Sequence, residues 1–116
     1  MAQEETIFAK IVRGAIPCDK VYEDDLSLAF RDIAPVAPTH ILIIPKEPLP
    51  SLAAASAEQA DLLGHLLSVA AEIARREGVA EAGYRVVINH GAQGGQTVDH
   101  LHLHLLAGRD LSWPPG

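Results

Sequence analysis

His100-Leu101-His102-Leu103-His104-Leu105-Leu106 alternates imidazole and aliphatic side chains with a period of two. Along a strand, successive side chains point to opposite faces, so the three histidines share one face and the leucines the other. Neighbouring imidazoles would then stand roughly 7 Å apart along the strand. The leucine face is expected to pack on a helix, leaving the histidine face open. Three of the six histidines in the chain fall within this stretch, a concentration that a hydrophobic core does not need. Near neutral pH an imidazole can be a neutral nucleophile, a proton donor or a metal ligand.

Immediately upstream lies Gly94-Gly95-Gln96-Thr97, at the end of a loop that begins at His90. Glycines let the backbone approach a phosphate closely and aim successive N–H groups at it. A Gly-Gly pair by itself is an ordinary turn. Beside three histidines it becomes a candidate phosphate cradle. No Gly-Lys-Ser/Thr follows, so this is not a P-loop.

Further upstream, Tyr84–Asn89 reads as a strand. Before it, Ser56 with Gln59 in the capping-box position opens a long helix. Its apolar stripe comprises Leu62, Leu66, Val69 and Ile73, with Leu63, Leu67, Ala70 and Ala74 beside them. His65, with Asp61, Ser68 and Glu72, falls on the polar side as a solvated residue, and Gly78 stops the helix. His40-Ile41-Leu42-Ile43-Ile44 is a continuous apolar run ended by Pro45, and its length and β-branched content predict a strand buried on both faces. Lys20–Glu23 and Leu26–Arg31 flank Asp24–Asp25 as a β-hairpin. Thr6 caps a short helix carrying Ile7, Phe8, Ile11 and Val12, stopped by Gly14 and Pro17. The order is helix, three strands, long helix, two strands. That predicts an α+β fold with a mainly antiparallel five-stranded sheet, one long helix and one short one.

The length of 116 residues suits a single domain over 1–116, with a short flexible N-terminus at 1–5 and a C-terminal tail at 107–116. A content of 48% apolar and 21% charged residues is that of a folded domain rather than a disordered chain. The net charge of −6 and the lack of a Lys/Arg cluster argue against a nucleic-acid track. An anionic ligand would have to be met locally, by histidines and backbone N–H groups. Cys18 is the only cysteine, which excludes an internal disulfide and a Cys-based zinc site. With no signal peptide and no apolar run approaching a membrane span, the expected location is cytoplasmic.

His-φ-His-φ-His-φ-φ is the signature of the histidine triad (HIT) superfamily, matched at residues 100–106. The chain resembles its histidine triad nucleotide-binding (Hint) branch over nearly its whole length. The N-terminal part of the likeness lies in Thr6-Ile7-Phe8-Ala9-Lys10-Ile11, Ile16-Pro17 and Tyr22-Glu23-Asp24-Asp25. It continues through Asp32-Ile33-Ala34-Pro35-Val36-Ala37-Pro38-Thr39-His40, Ile43-Ile44-Pro45-Lys46, Gly94-Gly95-Gln96-Thr97-Val98 and the Trp113-Pro114-Pro115-Gly116 tail. Two positions depart from that pattern. His90 stands where an acidic residue is common, and Asp99 where an aromatic one often precedes the triad.

The resemblance implies a HIT-like fold that pairs into a ten-stranded sheet in a homodimer. It implies a hydrolase acting on a purine nucleoside phosphoramidate or acyl-nucleotide, with no cofactor or metal required. His102 would be the nucleophile, His104 the phosphate ligand and leaving-group aid, and His100 the residue orienting them. Asn89, Gly95 and Thr97 would contact phosphate, Gln96 would belong to the nucleotide-binding set with them, and Asp32 would hold the ribose hydroxyls. Phe8, Ile11, Phe30, Ile33 and Leu42 would form an apolar slot for the purine. His40 would support the triad from behind, and Trp113 would reach towards the partner's site. Three other readings remain: a dinucleoside polyphosphate hydrolase with the same nucleophile, a nucleotide-binding regulatory protein with little turnover, and a metal-binding protein in which His40 joins two strand histidines.

Overall fold

A computed structural model describes residues 5–116. Residues 1–4 of the expected N-terminal segment lie outside the described residues, and Glu5 pairs with Arg13 at 2.8 Å. The elements are α1 (Ile7–Val12), β1 (Lys20–Glu23), β2 (Ser27–Arg31), β3 (Thr39–Pro45), α2 (Ala60–Arg76), β4 (Tyr84–Ile88) and β5 (Leu103–Ala107). The strands form one antiparallel sheet in the order β1-β2-β3-β5-β4. This is the expected α+β architecture.

β3 is the most buried strand, as its unbroken apolar run predicts. Ile41 and Ile43 join the core beneath α2, whereas Leu42 and Ile44 join Phe8, Leu28 and Phe30 beneath α1. Each such side chain removed from water contributes roughly 1.5–3 kcal/mol. The two helices therefore lie on opposite faces of the sheet. α2 buries Leu66, Val69, Ala70, Ile73 and Ala74. Leu67 does not share that burial and is half exposed, because it stands about 100° around the helix from Leu66, at the edge of the stripe. Ser56 and Gln59 form the expected capping box, but the box opens a 3-10 turn over Ala57–Gln59, and α2 itself begins one residue later. Gly78 ends the helix at φ +74°.

Four strands differ at their ends from the sequence reading. β4 stops at Ile88 rather than Asn89, β2 starts at Ser27 because Leu26 belongs to the turn, and β3 takes in Thr39 and Pro45. The fourth is β5, which pairs only from Leu103 and runs through Ala107, opposite Thr39 and Tyr84. The tail thus begins at Gly108. His100 and His102 precede the ladder, on a segment held by the Leu101 N–H to the Leu49 carbonyl at 2.7 Å.

The β1–β2 turn is organised by Asp24. Its Oδ1 accepts the Leu26 and Ser27 N–H groups at 2.9 and 2.8 Å and the Ser27 hydroxyl at 2.9 Å. Oδ2 accepts the Tyr22 hydroxyl at 2.9 Å and His65 Nε2 at 2.7 Å. His65 is therefore not merely solvated, since it ties α2 to the hairpin. Burial alone would raise the Asp24 carboxyl, but the bonds from Leu26, His65, Ser27 and Tyr22 outweigh it and hold the group well below the usual carboxylate range. Asp24→Ala should cost about 1–3 kcal/mol in urea denaturation at neutral pH. Because the folded-state pKa is depressed, this contribution is whole above pH ~4 and shrinks as the pH falls further. A gap between wild type and variant that stays constant into strong acid would refute this account.

Candidate active site

The alternation of the motif survives although the strand begins late. Leu101, Leu103 and Leu105 enter the core beneath α2, and the histidines turn to the opposite side, towards α1. That face is not open. His100 and His102 are only 1% and 5% exposed, because α1 lays Phe8 across them, with ring centroids 6.2 and 5.0 Å away. The His102 and His104 rings meet edge to face at 5.0 Å. This is closer than the spacing of a flat strand, since the chain leaves the ladder before Leu103.

Hydrogen bonds fix the proton on each ring. His100 Nε2 donates to the Pro45 carbonyl at 2.8 Å, anchoring the segment to the end of β3. Burial pushes His100 below the ordinary histidine range, against the pull of that bond. His102 Nδ1 donates to the His100 carbonyl at 2.8 Å, so its Nε2 carries a free lone pair when the ring is neutral. The Val36 N–H donates to His40 Nδ1 at 3.1 Å, and His40 must then hold its proton on Nε2. That N–H meets His104 Nδ1 at 2.9 Å and lies 3.4 Å from Asp32 Oδ2. His104 Nδ1 is thus an acceptor, and the proton of the neutral ring sits on Nε2. This Nε2 is buried and has no hydrogen-bond partner among the described residues. Desolvation, with the nearby His102 and His40 rings, lowers His104 to about 4, offset in part by Asp32. When neutral, the two adjacent imidazoles present opposite functions, a lone pair on His102 and an N–H on His104.

Both rings border a cavity of about 290 Å³ between α1 and the sheet, at the small end of ligand sites. Of the residues expected at the site, Phe8, Ile11, Phe30, Leu42, Asp32, Thr97, His102 and His104 line it. Ile33 lies at its rim, almost fully exposed. Ile7, on the apolar face expected for α1, lines it too, as do Ile16 and Cys18, which no local pattern singles out. Burial raises the Cys18 thiol, so it is a wall rather than a reactive group.

The loop residues take separate places. Gly95, at φ +81°, approaches Asn89, whose Nδ2 would stand 4.0 Å from a Cβ there. At Gly94 a Cβ would collide with the His90 carbonyl, so only glycine closes the loop. Gln96 spends both amide protons on the Pro50 and Val98 carbonyls, at 2.8 and 2.9 Å, and accepts the Gly91 N–H at 3.2 Å. Its side chain braces the loop. Asn89 lies away from the apolar cavity, in a groove between β4 and the tail. There Arg85 donates to the Leu111 and Ser112 carbonyls at 3.0 and 2.9 Å. Trp113, farther along, is 82% exposed and touches neither cavity.

Ligand atoms of Asp32, His40 and His104 lie within 4.8 Å of one another, a grouping that invites a metal. A cation there would take the Nε2 lone pair of His40, which forces the proton of that ring onto Nδ1. Nδ1 already faces the Val36 N–H, so two donors would oppose each other. The donor set as arranged fits a hydrogen-bonded chain rather than a cation.

Comparisons with known proteins agree with this geometry. The HIT domain family matches residues 13–111. An uncharacterised HIT-like protein of Synechococcus elongatus is 64% identical over 113 residues, covering 97% of this chain and 98% of that one. The purine nucleoside phosphoramidase of Escherichia coli is 57% identical over 108 residues, covering 93% and 91%. The crystal structure of a HIT family hydrolase from Legionella pneumophila superposes with a TM-score of 0.95 at 48% identity, covering 97% of this chain and all of that one. The chain belongs to the HIT domain family, and within it resembles the histidine triad nucleotide-binding branch.

Proposed function

We propose that this HIT hydrolase cleaves phosphoramidate or acyl-phosphate bonds of purine nucleoside monophosphates, through a nucleotide held covalently on His102. The observation that carries the reading is the pairing of a free imidazole lone pair with an unpartnered buried N–H, side by side at the mouth of an apolar slot. His102 Nε2 attacks phosphorus, and the bond to the leaving group breaks with its electron pair on that group. The His100 carbonyl stabilises the cationic ring that results. The His104 N–H gains the phosphoryl group as its missing partner, in the manner of a preorganised anion site. The bound anion also raises the affinity of that ring for a second proton, which a departing amine takes. Water then displaces His102, passes a proton to His104, and releases the nucleoside 5′-monophosphate. No metal enters this scheme.

Aromatic and branched side chains of the slot suit a flat purine, and Asp32 at its edge suits the ribose hydroxyls. Thr97 is assigned to phosphate; the Gly95 N–H, which donates to the Ala92 carbonyl at 3.1 Å, would have to be released to join it, and Asn89 opens onto the neighbouring groove. The resemblance to a purine nucleoside phosphoramidase favours the phosphoramidate over a dinucleoside polyphosphate. A binding role without turnover would not need the lone pair of His102 kept free. We further assign a homodimer, in which β4 pairs across its free edge. β4 is bonded on one side to β5 and ends the sheet, and such an edge favours pairing with a second chain. The lone thiol suits a reducing cytoplasm, and no described helix is long and apolar enough to cross a membrane.

An adenosine phosphoramidate with an alkylamine leaving group should be turned over with release of AMP. His102→Ala should lower kcat by about a thousandfold or more, while AMP still binds. Preference for diadenosine polyphosphate would favour the second enzymatic reading, and turnover surviving in the variant would refute the nucleophile. In an NMR pH titration of the free protein, the His104 ring should titrate near 4 and move upward when AMP is added. Titration at the ordinary histidine value of about 6.5 would contradict its burial. Sedimentation equilibrium should give twice the chain mass, and a monomer at all concentrations would remove the paired-edge assignment.

A further inference from the structure

Arg109 lies outside both the histidine cluster and the apolar slot, on the segment leaving β5. Its guanidinium donates twice to the Val36 carbonyl, from Nε at 3.2 Å and from Nη2 at 3.1 Å. Nη1 holds the Asp110 carbonyl at 3.0 Å, which steadies the fork. Val36 is 60% exposed, so side-chain packing does little to fix this residue, and its position is set through its backbone. The same loop meets the strand exit at a second point. Gly108 has φ +93°, and a Cβ there would stand 2.7 Å from Pro38 Cβ, so glycine is what permits the approach.

Val36 is also the residue whose N–H fills His40 Nδ1. Were Val36 to drift, His40 would be free to carry its proton on Nδ1 and turn a bare Nε2 towards His104. His104 would then answer with an Nδ1–H, and its Nε2 would face the site without a proton. The hydrogen-bonded series from Arg109 through Val36 and His40 thus ends at the atom that meets the leaving group.

We infer that Arg109 is a positioning residue for His104, holding Val36 so that His40 keeps the His104 proton on Nε2. The kinetic consequence rests on the proposed role of His104 towards the leaving group, whereas the tautomers themselves do not. A lysine could offer one ammonium but not the planar fork that grips a single carbonyl from two nitrogens.

Two readouts test this. In ¹⁵N NMR of the free protein, wild-type His40 should show Nδ1 as an acceptor and Nε2 protonated, with His104 protonated on Nε2. Arg109→Met should convert both rings to mixed tautomers. Its kcat on the adenosine alkylamine phosphoramidate should fall roughly tenfold, a part of what a general acid contributes. On the 4-nitrophenyl ester of AMP, whose leaving group needs no proton, the loss should stay below about twofold. Arg109→Lys should recover part of the amine rate. Val36→Pro, which removes the N–H while keeping Arg109, should reproduce the same selectivity, and adding Arg109→Met to it should do no more. Unchanged tautomers in Arg109→Met, or equal losses on both substrates, would reduce Arg109 to a structural strut and overturn the inference. If wild type fails to turn over the phosphoramidate, the functional reading falls, and the NMR result alone still decides the role of Arg109.

Discussion

Insertion of β5 between β3 and β4 is the constraint on which the other features depend. The last strand in the chain must displace solvent from two edges at once and send its leucines into the α2 core. Once it does so, Leu42 and Val87 stand opposite His104 in the two ladders, and His104 is fixed within a rigid sheet. Neighbouring β3 carries His40 at its start and the Pro45 carbonyl at its end. Those two points receive His104 and His100 respectively. The register of one strand pair thus sets three histidines, and a slip by a single residue would turn the motif inside out.

Much of this was legible in the sequence, because the informative signals were periodic or chemically unusual. Alternation at 100–106, the apolar run at 41–44 and the capping box at Ser56 each specify a local geometry that tertiary packing then uses. What could not be read is what depends on elements far apart in sequence. The open histidine face failed as an expectation because nothing in residues 100–106 reveals that Phe8 covers them. His65 looked solvated because its partner Asp24 lies 41 positions away on a separate hairpin. The early start given to β5 has a similar origin, since alternation continues into a segment that has no ladder partner. Of the slot, the residues named through resemblance were found on the cavity wall, but Ile16 and Cys18 have no local pattern that announces them.

Burial of the histidines has two opposed consequences. Desolvation disfavours the charged rings, and it does so for His40, His100 and His104 alike. Between the His104 value of about 4 and the unfolded value of about 6.5, the unfolded chain binds more protons than the folded one. Stability therefore falls as the pH drops through that window. The same desolvation favours the neutral form of these three rings, and on the proposed mechanism His104 then offers a single directed proton. An exposed triad would be easier to fold and less defined in its tautomers.

Neutral rings also bear on how an acidic chain with a net charge of −6 accommodates an anionic group. The net charge offers no long-range attraction, and Arg31, the one Arg or Lys lining the cavity among the described residues, is paired with Glu77 at 2.8 Å. Binding must rest on short-range donors whose geometry is settled before the ligand arrives. On the proposed mechanism His104 Nε2–H is one of these, whereas the Gly91, Gly95 and Gln96 N–H groups are spent within the glycine loop itself. Fixed dipoles of this kind cost little reorganisation as charge develops in the transition state. They are also only as good as their orientation. A backbone loop and an arginine well outside the cavity can therefore govern a proton inside it without touching the substrate.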